Sequence, residues 1–208
     1  MPLPLHLELS DSLIIGRGTH KITYHHPTCS HLCVKILFQQ NDIDMQRELK
    51  YRATRKQSSQ LLPKYWGTIN TNLGTGYIFE KILDFDNSLS LTLDEYIKNG
   101  FATMNETKLK NHIKEILLSF QKSWFKEKIV VSNIELVNFM VQRKSPTETY
   151  IKIVDNIGTP VLVPIAYYFD YFATKRAEKY WKRFLNLLQE TFPSIVTETM
   201  LNELYNIK

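Results

Sequence analysis

The chain has 208 residues, 43% hydrophobic and 23% charged, with a formal net charge of +5 at pH 7. That length and balance suffice to bury a sizeable core in one large domain or two small lobes, and exclude a disordered chain. No apolar run is long enough to span a bilayer, and two cysteines are too few for a disulfide framework. The opening "MPLPLHLELSDSL" lacks the basic start, apolar core and cleavage site of a secretory signal, so a cytoplasmic protein is expected. The positive excess favours anionic partners such as a nucleotide; a slightly basic, solvated surface is the plain alternative.

In chain order, residues 7–15 ("LELSDSLII") alternate as a strand running into the glycine turn "GRGTHK". "KITYHHP" and "LCVKILF" are two further strands. "NDIDMQRELKYRATRKQ" opens with residues suited to a helix N-terminus and carries basic residues toward its end. "LPKYWGTINTN" and "GYIFEKILDF" are a strand pair joined by "NLGTG". From there the pattern turns helical: "LTLDEYIKNG" is a short helix ending at Gly100. "NETKLKNHIKEILLSFQKSWFKEK" is a long one, with Leu109, Ile113, Ile116, Leu117, Phe120 and Trp124 at helical spacing. "VVSNIELVNFMV" and "YIKIV" flank the polar turn "RKSPTET". "PIAYYFDYFATKRAEKYWKRFLNLLQETF" gives one or two amphipathic helices, and "TETMLNELYNI" closes the chain. The expectation is an α+β protein with two lobes, β-rich with one helix over 1–84 and mainly helical over 85–208.

Four features carry chemistry. Gly16 and Gly18 sit in a strand–turn–strand, where glycine lets backbone approach phosphates; most such pairs are simply hairpin turns. Lys35 is centred in the apolar strand "CVKILF", where an unpaired ammonium is costly to bury, and Glu48 on the next helix is a candidate partner. Asn138 begins one strand of the C-terminal hairpin and Asp155 ends the other. Antiparallel pairing brings amide and carboxylate to one end, as hard oxygen ligands for magnesium. Asn133 stands five residues before Asn138, where a phosphotransferase of this pattern carries its catalytic aspartate, and an amide cannot accept a proton. Glu135 is the nearest substitute acid.

Two other patterns have blander explanations. His25, His26, Cys29, His31 and Cys33 are dense enough to invite a zinc site, but alternation puts Cys33 on the face of Lys35 and no second ligand pair follows at zinc-finger spacing. A polar hairpin turn with a buried cysteine accounts for them. The aromatic and basic residues of "AYYFDYF" and "KYWKRFLNLL" fit core packing with a charged outer face better than a nucleic-acid or membrane surface.

Across residues 14–184 the chain resembles the YrbL family, described as PhoP regulatory network proteins of Gram-negative bacteria. The segments "GRGTHKITYHHP", "CVKILF", "RELKYR", "LPKYWGTINTNLGTGYIFE", "VNFMV", "VDNIGTPVLVPIA" and "WKRF" carry the likeness. The resemblance implies a small bacterial cytoplasmic protein of protein-kinase-like fold, regulated with envelope stress. Placed on kinase roles, it makes Gly16 and Gly18 the phosphate loop and Lys35 with Glu48 an ion pair. Residues 79–83, including Glu80, become the nucleotide hinge; Asn138 and Asp155 become the metal ligands, with ATP and magnesium bound. "DNIG" stands where kinases carry D-F-G. Two departures matter: Asn133 replaces the catalytic aspartate, and no long segment ending in A-P-E follows. An atypical phosphotransferase acting on a small or envelope-related acceptor is expected, with a pseudokinase-type module regulating a partner protein as the alternative.

Overall fold

The computed structural model describes residues 5–39, 42–55, 59–160 and 164–205. Residues 1–4, 40–41, 56–58, 161–163 and 206–208, which include both ends of the expected helix over 41–57 and the end of that over 197–207, fall outside these. The N-terminal half is a six-stranded sheet. Its strands are β1 (His6–Leu7), β2 (Ile14–Arg17), β3 (Lys21–His25), β4 (Leu32–Leu37), β5 (Tyr65–Thr71) and β6 (Gly74–Glu80), in spatial order β1-β5-β6-β4-β3-β2. Only β1 and β5 run parallel. Helix α1 (Ile43–Arg55) connects β4 to β5, and Asp42 caps it, Oδ1 accepting from the Asp44 and Met45 N–H groups.

The single strand expected over 7–15 is broken. A 3-10 turn at Asp11–Leu13 separates β1 from β2, with the Leu13 N–H donating to the Ser10 carbonyl. The polar run Ser10-Asp11-Ser12 has its own local hydrogen bonding and no apolar alternation to hold a strand. Leu9 is instead tied to Asn72, which accepts from its N–H and donates to its carbonyl.

In the C-terminal half, α2 (Leu93–Thr103), α3 (Glu106–Glu127), α4 (Asp170–Thr191) and α5 (Glu198–Tyr205) accompany a small sheet, against which α2 and α3 pack. Its strands are β7 (Leu91–Thr92), β8 (Phe139–Arg143) and β9 (Thr149–Ile153). Thr92 and Glu95 form a reciprocal capping box that starts α2. Gly100 does not end that helix: it lies inside, where a Cβ would come within 2.4 Å of Leu109 Cδ1. Its glycine serves close approach of α2 and α3 rather than termination. The six apolar positions of α3 are all buried, and Phe120, Trp124, Phe139, Trp181 and Phe184 form the centre of the core. Full burial of each such side chain contributes about 1.5–3 kcal/mol relative to exposure.

The halves are joined across residues 81–90. Asp84 is buried; its Oδ1 accepts from Ser90 Oγ and the Arg143 N–H, and its Oδ2 from Arg143 Nε. These bonds hold the connection against β8.

Candidate functional site

Alternation along the sheet builds one wall of a cleft. Leu32, Val34 and Ile36 of β4 pack with Ile22, Tyr24, Ile69 and Ile78 on one face of the sheet. That turns Cys33 and Lys35 to the other face, where Cys33 meets Met45 and Phe79. There a cleft of about 480 Å³ opens between the sheet and the β8–β9 hairpin. Gly16, Gly18, Lys35, Glu80, Asn138 and Asp155 all line it, as do Lys21, Thr23 and Ile82. Glu48, Asn133 and Glu135 do not. A second cavity of equal volume lies between α1 and the C-terminal end of α3, and of the expected residues only Glu80 borders it.

Lys35 is 6% exposed. Its Nζ donates to the Val154 carbonyl at 2.7 Å and sits 4.4 Å from the centre of the Phe79 ring. The expected Lys35–Glu48 pair is not formed. Glu48 is buried, and its Oε1 accepts from Arg52 Nε at 2.9 Å and Nη2 at 2.6 Å. The reason is local: Arg52 lies one turn along the same helix and reaches Glu48 with two donors. Arg52 is itself fixed by the Pro63 carbonyl and the Phe79 ring. Charge-assisted hydrogen bonds of this kind contribute about 1.5–3 kcal/mol each.

Glu80 also has a local partner, its Oε2 accepting from the Lys64 N–H. In the glycine turn, the Gly18 N–H donates to the Lys21 carbonyl at 2.8 Å. Neither Gly16 nor Gly18 has a positive φ, and a Cβ at Gly16 would meet nothing within 4 Å. The fold itself does not demand glycine there.

Asn138 ends a 3-10 turn (Leu136–Asn138) immediately before β8, and Asp155 follows β9. The antiparallel register pairs Phe139 with Ile153, and the Val154 N–H donates to the Asn138 carbonyl at 2.9 Å. The hairpin thus delivers amide and carboxylate to one end. Asp155 Oδ1 accepts from Lys21 Nζ at 2.5 Å and from the Asn156 N–H at 2.8 Å. Burial alone would raise its pKa, but the charges of Lys35 and Lys21 and these hydrogen bonds outweigh it and hold the carboxyl below the ordinary aspartate value. One ionised carboxylate and one amide oxygen form a donor set suited to magnesium, which takes few protein ligands and completes its shell with water and phosphate. Among the described residues no group of three or more His, Cys, Asp or Glu is placed to hold a metal ion without such help.

Asn133 and Glu135 border an adjoining cavity of about 460 Å³, which shares Gly18, Lys21, Asn138 and Asp155 with the cleft. Both are exposed, and Asn133 Nδ2 donates to Glu135 Oε1 at 2.8 Å. The Asn133 amide therefore orients the Glu135 carboxylate. Asp42 and the Asp44–Arg47 ion pair form the facing wall.

The "DNIG" loop is tightly fitted. Ile157 is buried and bridges to Val131, and Gly158 has a φ of +102°. A Cβ at Gly158 would lie 2.5 Å from the Tyr167 hydroxyl and 3.2 Å from the Arg47 carbonyl of α1. Tyr167 accepts from the Thr159 N–H and packs edge-on against Tyr51 at 5.2 Å between ring centres. With α4 opening at Asp170, only a short connection follows Asp155.

The histidine and cysteine cluster is spread over separate environments. His25 Nδ1 lies 3.0 Å from Lys81 Nζ, His26 Nδ1 accepts from the Thr28 N–H, and His31 is exposed. Cys33 is buried on the cleft side, and burial pushes its thiol pKa up.

Sequence reasoning missed Lys21 and the Val154 carbonyl. Lys21 was detectable: in "KITYH" Ile22 and Tyr24 are buried, so Lys21 and Thr23 share the opposite, cleft-facing side. A backbone carbonyl leaves no mark in sequence.

These observations define an α+β protein with a cleft where a glycine turn, a buried lysine, an amide and an ionised carboxylate converge. The profile of the family described as PhoP regulatory network protein YrbL matches residues 7–189. The chain is 31% identical over 185 residues to "Uncharacterized protein YrbL" of Escherichia coli (strain K12), covering 86% of each chain. It matches the protein of the same name from Shigella flexneri to the same extent. The chain belongs to the YrbL family of PhoP regulatory network proteins. No helix among the described residues is long and apolar enough to cross a membrane.

Proposed function

We propose that this protein is a cytoplasmic, kinase-like ATP-dependent phosphotransferase of atypical site chemistry, acting on a small or envelope-related acceptor. The observation that carries this reading is the single cleft lined by Gly16, Gly18, Lys35, Glu80, Asn138 and Asp155. In it the nucleotide lies between the glycine turn and residues 79–83, with Lys35 facing its phosphates. Asn138 and Asp155 would hold magnesium, which supplies charge neutralisation at the phosphates.

The acceptor enters through the adjoining cavity. Its hydroxyl gives a proton to Glu135, which Asn133 orients, while its oxygen bonds to the γ-phosphorus. The bond from that phosphorus to the bridging oxygen breaks, and ADP leaves with the electron pair. Positioning and electrostatics supply most of the rate in such transfers, so an imperfectly placed base lowers activity without abolishing it. The test is release or transfer of γ-labelled phosphate by the purified chain, with Asp155→Ala as control. Metal-dependent label release that Asp155→Ala removes is expected; wild-type release no faster than the control would refute catalysis.

A second reading follows from the exposure of Glu135 and the amide at 133. Here the cleft binds nucleotide without turnover and the protein regulates a partner. Nucleotide binding with no label release would favour it.

A further inference from the structure

Two lysines converge on Asp155, and only Lys35 belongs to the expected set. Lys21 follows the glycine turn directly, and the Gly18 N–H closes onto its carbonyl, so turn and lysine form one hydrogen-bonded unit. Its side chain is 16% exposed and its Nζ occupies Asp155 Oδ1 at 2.5 Å. It borders both the cleft and the adjoining cavity, at the junction between them. Oδ1 accepts from both Lys21 Nζ and the Asn156 N–H, which leaves Oδ2 to a metal and sets the ammonium beside the place where metal and phosphate would meet. Lysine is a compact point charge with three donors on a flexible stem, suited to exchanging one anion for another nearby.

We propose that Lys21 is a catalytic residue of the phosphoryl transfer: it holds Asp155 while the cleft is free of nucleotide, and moves to the terminal phosphoryl group when nucleotide and metal enter. This inference rests on the nucleotide reading above. In the transfer, the Lys21 ammonium offsets charge on the non-bridging oxygens of the γ-phosphoryl. Meanwhile the acceptor oxygen–phosphorus bond forms and the phosphorus–bridging oxygen bond breaks toward ADP. A lysine that merely clamped the sheet to the hairpin would be indifferent to whether the nucleotide has two phosphates or three.

That difference is the test. Dissociation constants for ATP and ADP, with magnesium present, are measured by calorimetry on wild type, Lys21→Met and Lys21→Arg. Loss of one charge-assisted contact weakens ATP binding by about tenfold or more. Lys21→Met should therefore lose the wild-type preference for ATP while its ADP affinity stays within about twofold of wild type, by that same argument. Lys21→Arg should retain the preference. If Lys21→Met does not fold, Lys21→Gln, which keeps a neutral donor for Asp155, carries the same comparison. Equal loss of ATP and ADP binding, no change in either, or loss of the preference in Lys21→Arg overturns the role. Wild-type protein that binds neither nucleotide overturns the nucleotide reading itself, and that result is visible before any variant is made.

Discussion

Lys21 Nζ and Asp155 Oδ1, 134 positions apart in the chain, lie 2.5 Å from each other across the cleft. Beside them, Lys35 Nζ reaches the Val154 carbonyl. Two strands of the N-terminal sheet are thereby bonded to the two residues that follow β9. The carboxylate a metal would use is also the carboxylate that fastens one half of the molecule to the other.

This gives Asp155 a pH signature. Its pKa is depressed in the folded state, so its stabilisation is present above the ordinary aspartate value and lost as pH falls through the lowered folded value. Wild type should exceed Asp155→Asn in stability at neutral pH, and the gap should close below about pH 4. Urea unfolding of both proteins across pH 3–7 measures it.

A second pH effect has the opposite origin. His26 is buried, its Nε2 has no hydrogen-bond partner among the described residues, and burial lowers its pKa. His25 shifts the same way, through burial first and then the charge of Lys81. Above about pH 6.5 both histidines are neutral folded or unfolded and contribute nothing. Below it the unfolded chain takes up protons that the folded chain resists, so stability should fall as pH drops from about 6.5 toward the lowered folded values. His26→Asn keeps an acceptor near Nδ1 and cannot titrate; its melting temperature should fall less over that window.

Glu48 separates packing from binding. Because Arg52 rather than Lys35 holds it, Glu48→Gln should destabilise the fold, by about 1–3 kcal/mol, through loss of a buried charged partner. ATP affinity should remain within about threefold, a change under 1 kcal/mol. A large loss of ATP affinity with little change in stability would instead show that Glu48 turns to Lys35 when nucleotide binds.

Gly158→Ala meets both a positive φ and a 2.5 Å approach to the Tyr167 hydroxyl. It should cost about 1–3 kcal/mol, measured as a lowered denaturation midpoint. Gly16→Ala has open space and an ordinary φ and should leave the fold's stability nearly unchanged.

Much of this architecture was legible because apolar patterning reports burial directly: the buried stripe of α3 and the near-continuous apolar run of β4, buried on both faces, are both written in residue type. The meeting of Asn138 and Asp155 was legible too, since hairpin register follows from two strands and a polar turn. Partner choice was not. Glu48 has two candidate cations, Lys35 on the neighbouring strand and Arg52 one turn along its own helix, and the strand–helix order that favours Lys35 hides the i, i+4 pair that forms. Gly100 looks like a helix end until Leu109 is found against it. The break after Leu9 depends on Asn72, far along the chain, which strand propensity cannot see.

The proposed function depends on Lys35, Asn138 and Asp155 acting together as one site for nucleotide and magnesium. A thermal shift with ATP, with and without magnesium, tests it most directly. A ligand present at 100 times its dissociation constant adds about 2.7 kcal/mol of stability. ATP with magnesium should therefore raise the melting temperature by several degrees, the metal-dependent part disappearing in Asp155→Ala. An unchanged melting temperature at millimolar ATP and magnesium would rule out a nucleotide site in this cleft.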